Sequence, residues 1–491
     1  MNRSWFNAPA IRVAVLAALF AGAGVHESAH QRSLDSIRNG DFWWHLRCGL
    51  GILETHAVPH SGLYSQASAV PWIASSWLYE VLSAIGYRVL GLFWVPLLAI
   101  VCKLALAILT FVLAGGLRGR FWTAVGLSVI AQVVLGGMQP LPVYGSALLF
   151  GIEMMLLLDY RRSGNLRGLY PLPPLFVVWA NVDAQFVYGI AVLVFFTATE
   201  GGLKPAKEKR EAVSGTHGGV PLPRLATTVL ATLLATCITP YGWKPYGVFF
   251  SQLTSAANPY FPDYQSLRFR APQDYLLLLL LMGAYLALGM RRSRDLFQIG
   301  TLVACTLAAF AMQRDGWLAV LAALAVIGYA APETVPEGGT SRSQLWLAAG
   351  VAAILLIAAM AIHLPRGRKA MLAEIGEGYP VKAADYIREN RLPQPLFNAF
   401  PWGGFLTWYL PEYPVAIDGR TDLYGDDFNI QYAKAMNAEI HFSQFPPFSQ
   451  AGTLLLEKNS VMGKALASVP GFKVAYSDEV AVVLVREQAG P

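Results

Sequence analysis

Long apolar runs separated by short polar breaks dominate the first three quarters of the chain. Runs at residues 9–25, 92–117, 121–137, 141–158, 222–238, 275–290, 296–312, 316–331 and 345–363 approach the length of a bilayer crossing, for which an α-helix needs about 20 residues. Residues 169–200 form a run long enough to cross twice, broken at "WANVDAQ" (179–185). Residues 75–91 have a helical apolar period but carry Glu80 and Arg88, which predicts a juxtamembrane amphipathic helix. The pattern predicts about 11 spans. Beyond residue 364 it changes character. "PLFNAF", "YPVAIDG", "GTLLLE", "FKVAYS" and "VAVVLVRE" read as short strands, and "YPVKAADYIREN" and "GDDFNIQYAKAMN" as helices. The expected fold class is an α-helical polytopic membrane protein with a small C-terminal α/β domain. The expected division is 1–364, with a large first loop at 26–91, and 365–491.

Composition supports this picture. The chain is 55% hydrophobic and 14% charged, with a mean hydropathy of +0.43, against about 25% charged residues in soluble domains. The net charge of +6 is unevenly spread. Residues 1–364 carry 25 basic and 17 acidic residues; the remainder carries 12 and 14. Basic residues at Arg3, Arg118, Arg120, "DYRRSGNLRG", "KPAKEKRE" and "RRSRD" fall in loops that the positive-inside rule assigns to the cytoplasm. The first run then reads as a retained signal anchor with a cytoplasmic N-terminus, and an odd number of spans sends the C-terminal domain outside. No basic stripe is interleaved with stacking aromatics, which excludes a nucleic-acid partner. The four cysteines make no CxxC pair, and packed apolar sites explain them better than a disulfide framework or a zinc site.

Candidate chemistry collects in the expected outer loops. The first loop contains "NGDFWWHLRCG" (39–49), where Asp41 is followed by Phe42, Trp43, Trp44, His45 and Arg47. A carboxylate partly desolvated by rings suits a general base; an Asp capping the helix that follows is the plainer reading. Five of the eight histidines are in this loop, at irregular spacings that match no metal-ligand pattern. No metal and no cofactor is expected. Arg32, Arg38, Arg47, Lys244, Arg268, Arg270 and Arg314 stand on outer loops despite the positive-inside rule. Cations at lipid headgroup level are common; the alternative is a site for the phosphate of a lipid carrier, favoured for Arg268, Arg270 and Arg314.

The motifs "NGDFWWHLRCG", "WLYE" (77–80), "WAN" (179–181), "NAFPWGGFL" (398–406) and "DGRTDLYG" (418–425), set in this topology, resemble the GT-C superfamily of membrane glycosyltransferases. That class includes protein mannosyltransferases and aminoarabinose transferases. The chain looks most like a bacterial subgroup with D-x-W-W-H-L and D-G-R-x-D-x-Y motifs. Asn39 stands where that pattern has a first acid, Ser75 and Ser76 where it has a polar pair, and Asp183 where it often has His. The resemblance implies a bacterial cytoplasmic-membrane enzyme that moves a sugar from a polyprenyl-phosphate-linked donor to a glycan, lipid or protein acceptor, with inversion. Asp41 would be the general base. Trp43, Trp44, His45, Arg47, Glu80, Asn181, Asp183, Lys244, Arg268, Arg270 and Arg314 would contact substrate or membrane lipid. Asn398, Asp418, Arg420 and Asp422 would form the tail motif. Two other readings stay open: a non-catalytic scaffold on the same frame, and a transporter of a lipid-linked saccharide, for which Lys103 and Glu153 are the clearest ionisable residues within spans.

Overall fold

The structure is a computed structural model of the chain, describing residues 8–28, 40–201, 222–330, 340–466 and 471–487. Asn39, Arg32, Asp35, Arg38, the basic run 204–211 and most of the 332–344 loop lie outside the described residues.

Every apolar run expected to cross a membrane is a helix: Pro9–Ser28, Trp94–Leu113, Phe121–Val134, Pro142–Ser163, Leu172–Val182, Phe186–Gly201, Leu222–Ala235, Pro272–Met290, Leu296–Ala311, Gly316–Ala330 and Arg342–His363. Among the described residues, four helical stretches are long and apolar enough to cross: Trp77–Arg118, Pro142–Ser163, Pro272–Met290 and Arg342–His363. The chain is thus a polytopic helical membrane protein of the expected class. Helix Trp77–Leu90 joins the next span through a 3-10 turn at Gly91–Phe93. It buries Glu80 and Ser83 and exposes Leu82, Ile85 and Val89, the distribution suited to apolar surroundings. The run 169–200 divides as expected, into Leu172–Val182 and Phe186–Gly201. The first of these, with 11 residues, rises about 16 Å, half of a bilayer core.

The chain forms two compact units. The first comprises residues 1–28, 99–249 and 261–362, the second 29–98, 250–260 and 363–491. The first is a helical bundle with an aromatic and aliphatic core that includes Phe150, Phe176, Trp179, Phe186 and Trp317. At one end, Arg161 ties three of its helices by bonding Asp295 at 2.6 Å and Glu200 at 3.0 Å. Glu153 is wholly buried, and neither of its oxygens has a hydrogen-bond partner among the described residues.

The second unit combines first-loop residues with the C-terminal domain. Its sheet runs β1-β2-β4-β3, with β1 Leu396–Asn398, β2 Thr453–Glu457, β3 Phe472–Ser477 and β4 Ala481–Arg486. β1 pairs parallel to β2, and the other pairs are antiparallel. Phe397, Ile417, Leu454, Leu456, Leu484, Phe445 and Phe448 form its core. Both predicted tail helices form, at Val381–Glu389 and Asp426–Met436. The strand expected at "YPVAIDG" does not form. Val415 and Ile417 are buried there, but the backbone is held by a side chain. Asn398 Nδ2 donates to the Ile417 carbonyl at 2.9 Å, and Asn398 Oδ1 accepts from Ala416 N at 2.8 Å. The Val415 carbonyl accepts from the Gln66 backbone N–H at 2.9 Å, in a single parallel bridge to Ser65, so one side chain and one bridge stand in for a ladder.

Candidate functional site

Helix Asp41–Thr55 begins at Asp41, and Gly40 is its N-cap. Asp41 is therefore in the first turn rather than capping, where the helix dipole favours its negative charge. Trp44, three residues on, folds back and donates its indole N–H to Asp41 Oδ1 at 3.1 Å. The next residue, His45, stacks on the Trp44 ring with centroids 3.5 Å apart. His45 Nδ1 lies 3.1 Å from Glu80 Oε1, and both side chains are buried.

The tail closes on this group. "DGR" folds as a turn in which Asp418 Oδ1 accepts from the Arg420 backbone N–H at 3.0 Å. The Arg420 guanidinium then returns to the same carboxylate, with Nε donating to Oδ1 at 3.0 Å and Nη2 to Oδ2 at 2.6 Å. Its Nη1 donates to the Leu63 carbonyl at 2.9 Å. Its Cζ is 5.2 Å from the Trp72 ring and 5.9 Å from the Trp44 ring, both within cation–π reach. Trp72 donates to Asp422 Oδ2 at 3.0 Å and meets Trp44 edge-on at 5.9 Å. Gly419 packs so closely that a Cβ there would fall on the Asp41 carboxylate. Gly404, of "PWGGF", likewise leaves no room for a Cβ beside the Gly40 carbonyl. First-loop and tail motifs some 350 residues apart thus form one constellation around Asp41.

Not every candidate belongs to the surface of this group. Trp43 is fully buried, stacked on Trp408 at 4.5 Å and edge-on to Phe405 at 5.4 Å; it is a packing residue. Arg47 lies over the Tyr64 ring at 4.3 Å, with Glu54 at 3.6 Å. Asn398 is the backbone clamp described above. Trp72, which the sequence suggests is an interface anchor, and the Leu63 carbonyl are not among the expected site residues; their long-range bonds mark them.

Burial, with Arg420 nearby, holds the His45 pKa well below the usual imidazole value of 6.5. A buried neutral His binds no proton that the unfolded chain takes up below pH 6.5. The contribution is therefore intact above that value and is lost as the pH falls beneath it. Burial also raises the Glu80 carboxyl to about 8, which adds stability as the pH falls and opposes this loss. The expected result is therefore a difference: between pH 6.5 and 5 wild-type stability falls relative to that of His45→Gln. Denaturant midpoints at successive pH values check this; equal slopes in both proteins would remove His45 as the cause.

The first unit carries a second polar group, assembled from two loops. Asp183 follows helix Leu172–Val182, and its Oδ2 accepts from Ser146 Oγ at 2.7 Å, which in turn accepts from Trp179 Nε1 at 2.8 Å. Asp315 accepts from Gln185 Nε2 at 2.8 Å and from the Tyr188 hydroxyl at 2.5 Å. Burial raises both carboxyl pKa values, and the hydrogen bonds and Arg314 oppose that rise. Arg314 has its Nε 3.8 Å from Asp315 Oδ1 and its Cζ 4.8 Å from the Tyr264 ring. Ser146, Gln185 and Tyr188 were absent from the set expected from the sequence, because bonds spanning 37 to 130 residues have no local signature. Asn181 donates to the carbonyls of Val177 and Ile238, at 2.7 and 2.8 Å, and links two helix ends. Lys244 is exposed. Arg268 and Arg270 are also exposed; the Arg268 side chain meets Gln265, and the Arg270 backbone is capped by Asp274 at 3.0 Å.

No family model matches the chain, and no curated protein matches it. Among solved structures it is similar to ArnT from Cupriavidus metallidurans bound to undecaprenyl phosphate, with 13% identity, a TM-score of 0.44 and the whole of both chains covered. It is also similar to the same protein in the apo state, with 14% identity, a TM-score of 0.40, and 90% of this chain and 92% of that one covered. These likenesses are distant, and what the chain does rests on its own residues.

Proposed function

We propose that the protein is a GT-C-type glycosyltransferase of the bacterial cytoplasmic membrane. It takes a sugar from a polyprenyl-phosphate-linked donor at the outer face and transfers it, with inversion, to a glycan, lipid or protein. The observation that carries this reading is the convergence of the first-loop and tail motifs on Asp41, a partly exposed carboxylate set between an indole N–H and a glycine backbone.

In this reading Asp41 accepts the proton of the acceptor hydroxyl while that oxygen forms a bond to the anomeric carbon. The bond from that carbon to the carrier phosphate breaks, and the electron pair leaves with the phosphate. Cationic side chains stabilise the charge that develops there. Arg314, flanked by Asp315 and Tyr264, is the first candidate for this role. Lys244, Arg268 and Arg270 are the further candidates. The division of the chain into a membrane part at 1–364 and an extracytoplasmic domain at 365–491, with the N-terminus in the cytoplasm, belongs to the same proposal.

Asp41→Asn tests the reaction. The amide keeps an acceptor for Trp44 and nearly the same volume, but it cannot take the proton. Transfer from the host's polyprenyl-phosphate sugars, read by glycan profiling, is expected to fall at least 100-fold, within the range attributed to general base catalysis. An unchanged profile in a stably expressed variant would sink the role of Asp41. One observation favours a non-catalytic frame instead: the residues around Asp41 are themselves tightly engaged, with Asp418 and Arg420 locked together at full burial. That reading predicts the unchanged profile.

A further inference from the structure

We propose that Trp44 is the positioning residue of Asp41: its indole N–H, gripped from both sides, fixes which way the carboxylate faces and keeps it ionised. This rests on the reading of Asp41 as the base and gives Trp44 a role other than sugar contact.

The geometry makes Trp44 a poor platform for a substrate and a good clamp. Its side chain is only 9% exposed. One face is covered by His45, stacked at 3.5 Å, and His45 is itself held by Glu80 at 3.1 Å. Trp72 meets its ring at 5.9 Å, and Arg420 reaches it at the same distance. Trp72 is anchored by Asp422, and Arg420 by Asp418. Six side chains from three stretches of chain thus leave the indole little freedom to turn. Its single polar atom points at Asp41 Oδ1. The Gly419 backbone bounds the same oxygen and also lies close to the indole nitrogen. A donor held in place is worth more than a mobile one, because its orientation is not lost when the base changes charge.

Among the described residues, the charged and titratable groups on the elements around Asp41 include His45, Arg47 and Cys48 of its own helix, Glu80 of helix Trp77–Leu90, and Asp418, Arg420, Asp422 and Tyr424 of the tail. Helix Phe400–Tyr409, which packs against the first turn, adds only Tyr409. Arg420 is already bonded to Asp418 through two nitrogens. The Trp44 N–H is a neutral donor to Asp41, and a hydrogen bond to the ionised form favours that form.

The test replaces the N–H and nothing else. Benzothienylalanine at position 44 keeps the bicyclic ring but substitutes sulfur for the nitrogen. The full-length protein in detergent is titrated by infrared difference spectroscopy, each form being compared with the same form carrying Asp41→Asn, so that the Asp41 carboxyl alone is read. The expected result is an ionisation midpoint raised by about one pH unit, with thermal stability close to wild type. Trp44→Phe is expected to raise it similarly. An identical midpoint in the isostere and the wild type would overturn the proposal. The titration needs no substrate, whereas the glycan profile of Asp41→Asn reports the reaction, so the two readings fail separately.

Discussion

Gly404→Ala is expected to destabilise the second unit by about 3 kcal/mol, the upper end of what overpacking costs. A Cβ at this position has a backbone carbonyl, that of Gly40, in its way, with no rotamer that can yield. The helix Phe400–Tyr409 would have to withdraw from the first turn of helix Asp41–Thr55, and the tail turn with it. Thermal unfolding in detergent, followed by tryptophan fluorescence, measures the loss. Gly247→Ala is the control, since a Cβ there meets nothing within 4 Å and a helical Gly→Ala change is neutral or favourable. Equal melting of Gly404→Ala and wild type would mean that this close approach is not needed.

Arg420→Met is expected to have an effect of about 4 kcal/mol, because removing one partner of a buried pair strands the other. Arg420 is 1% exposed and Asp418 is fully buried. The substitution leaves the Asp418 carboxylate desolvated, frees the Leu63 carbonyl and removes the cation beside Trp44 and Trp72. Adding Asp418→Leu to Arg420→Met should recover much of the loss, since apolar replacement of a whole buried pair is often neutral. A double variant no more stable than the single one would show that stranded charge is not the cause. Because Arg420 also flanks Trp44, the single variant is expected to impair transfer as well.

The helices were legible because length and apolarity are local properties. The break at "WANVDAQ", argued from where the basic run 204–211 had to fall, coincides with the gap between Val182 and Phe186. Asp41, Glu80 and the "DGR" turn were legible as candidates through their motifs, but not their partners. His45 and Glu80 are 35 residues apart, Arg420 and Leu63 are 357 apart, and nothing in either neighbourhood announces the other. "YPVAIDG" misled because an apolar run reports burial, and Val415, Ala416 and Ile417 are buried; its backbone bonds instead to Asn398, 18 residues away from Ala416, and to Gln66 of the first loop. Trp43 and Trp44 look equivalent in the sequence. One turns into the Trp408 and Phe405 cluster and the other towards Asp41, a difference decided by the helix phase.

The joining of the first loop to the tail also sets an order of events in biosynthesis. Trp72 is translated 350 residues before its partner Asp422. At about 5–20 residues per second, the loop waits for roughly 20–70 s before the turn that completes it emerges from the ribosome. During that interval the spans that follow are inserted, while Trp44, Trp72 and the carbonyl of Leu63 are still without the groups that later cover them. Asp41 acquires its final setting only when the last quarter of the protein arrives, so a nascent chain interrupted before that point carries the acid without the surroundings that orient it.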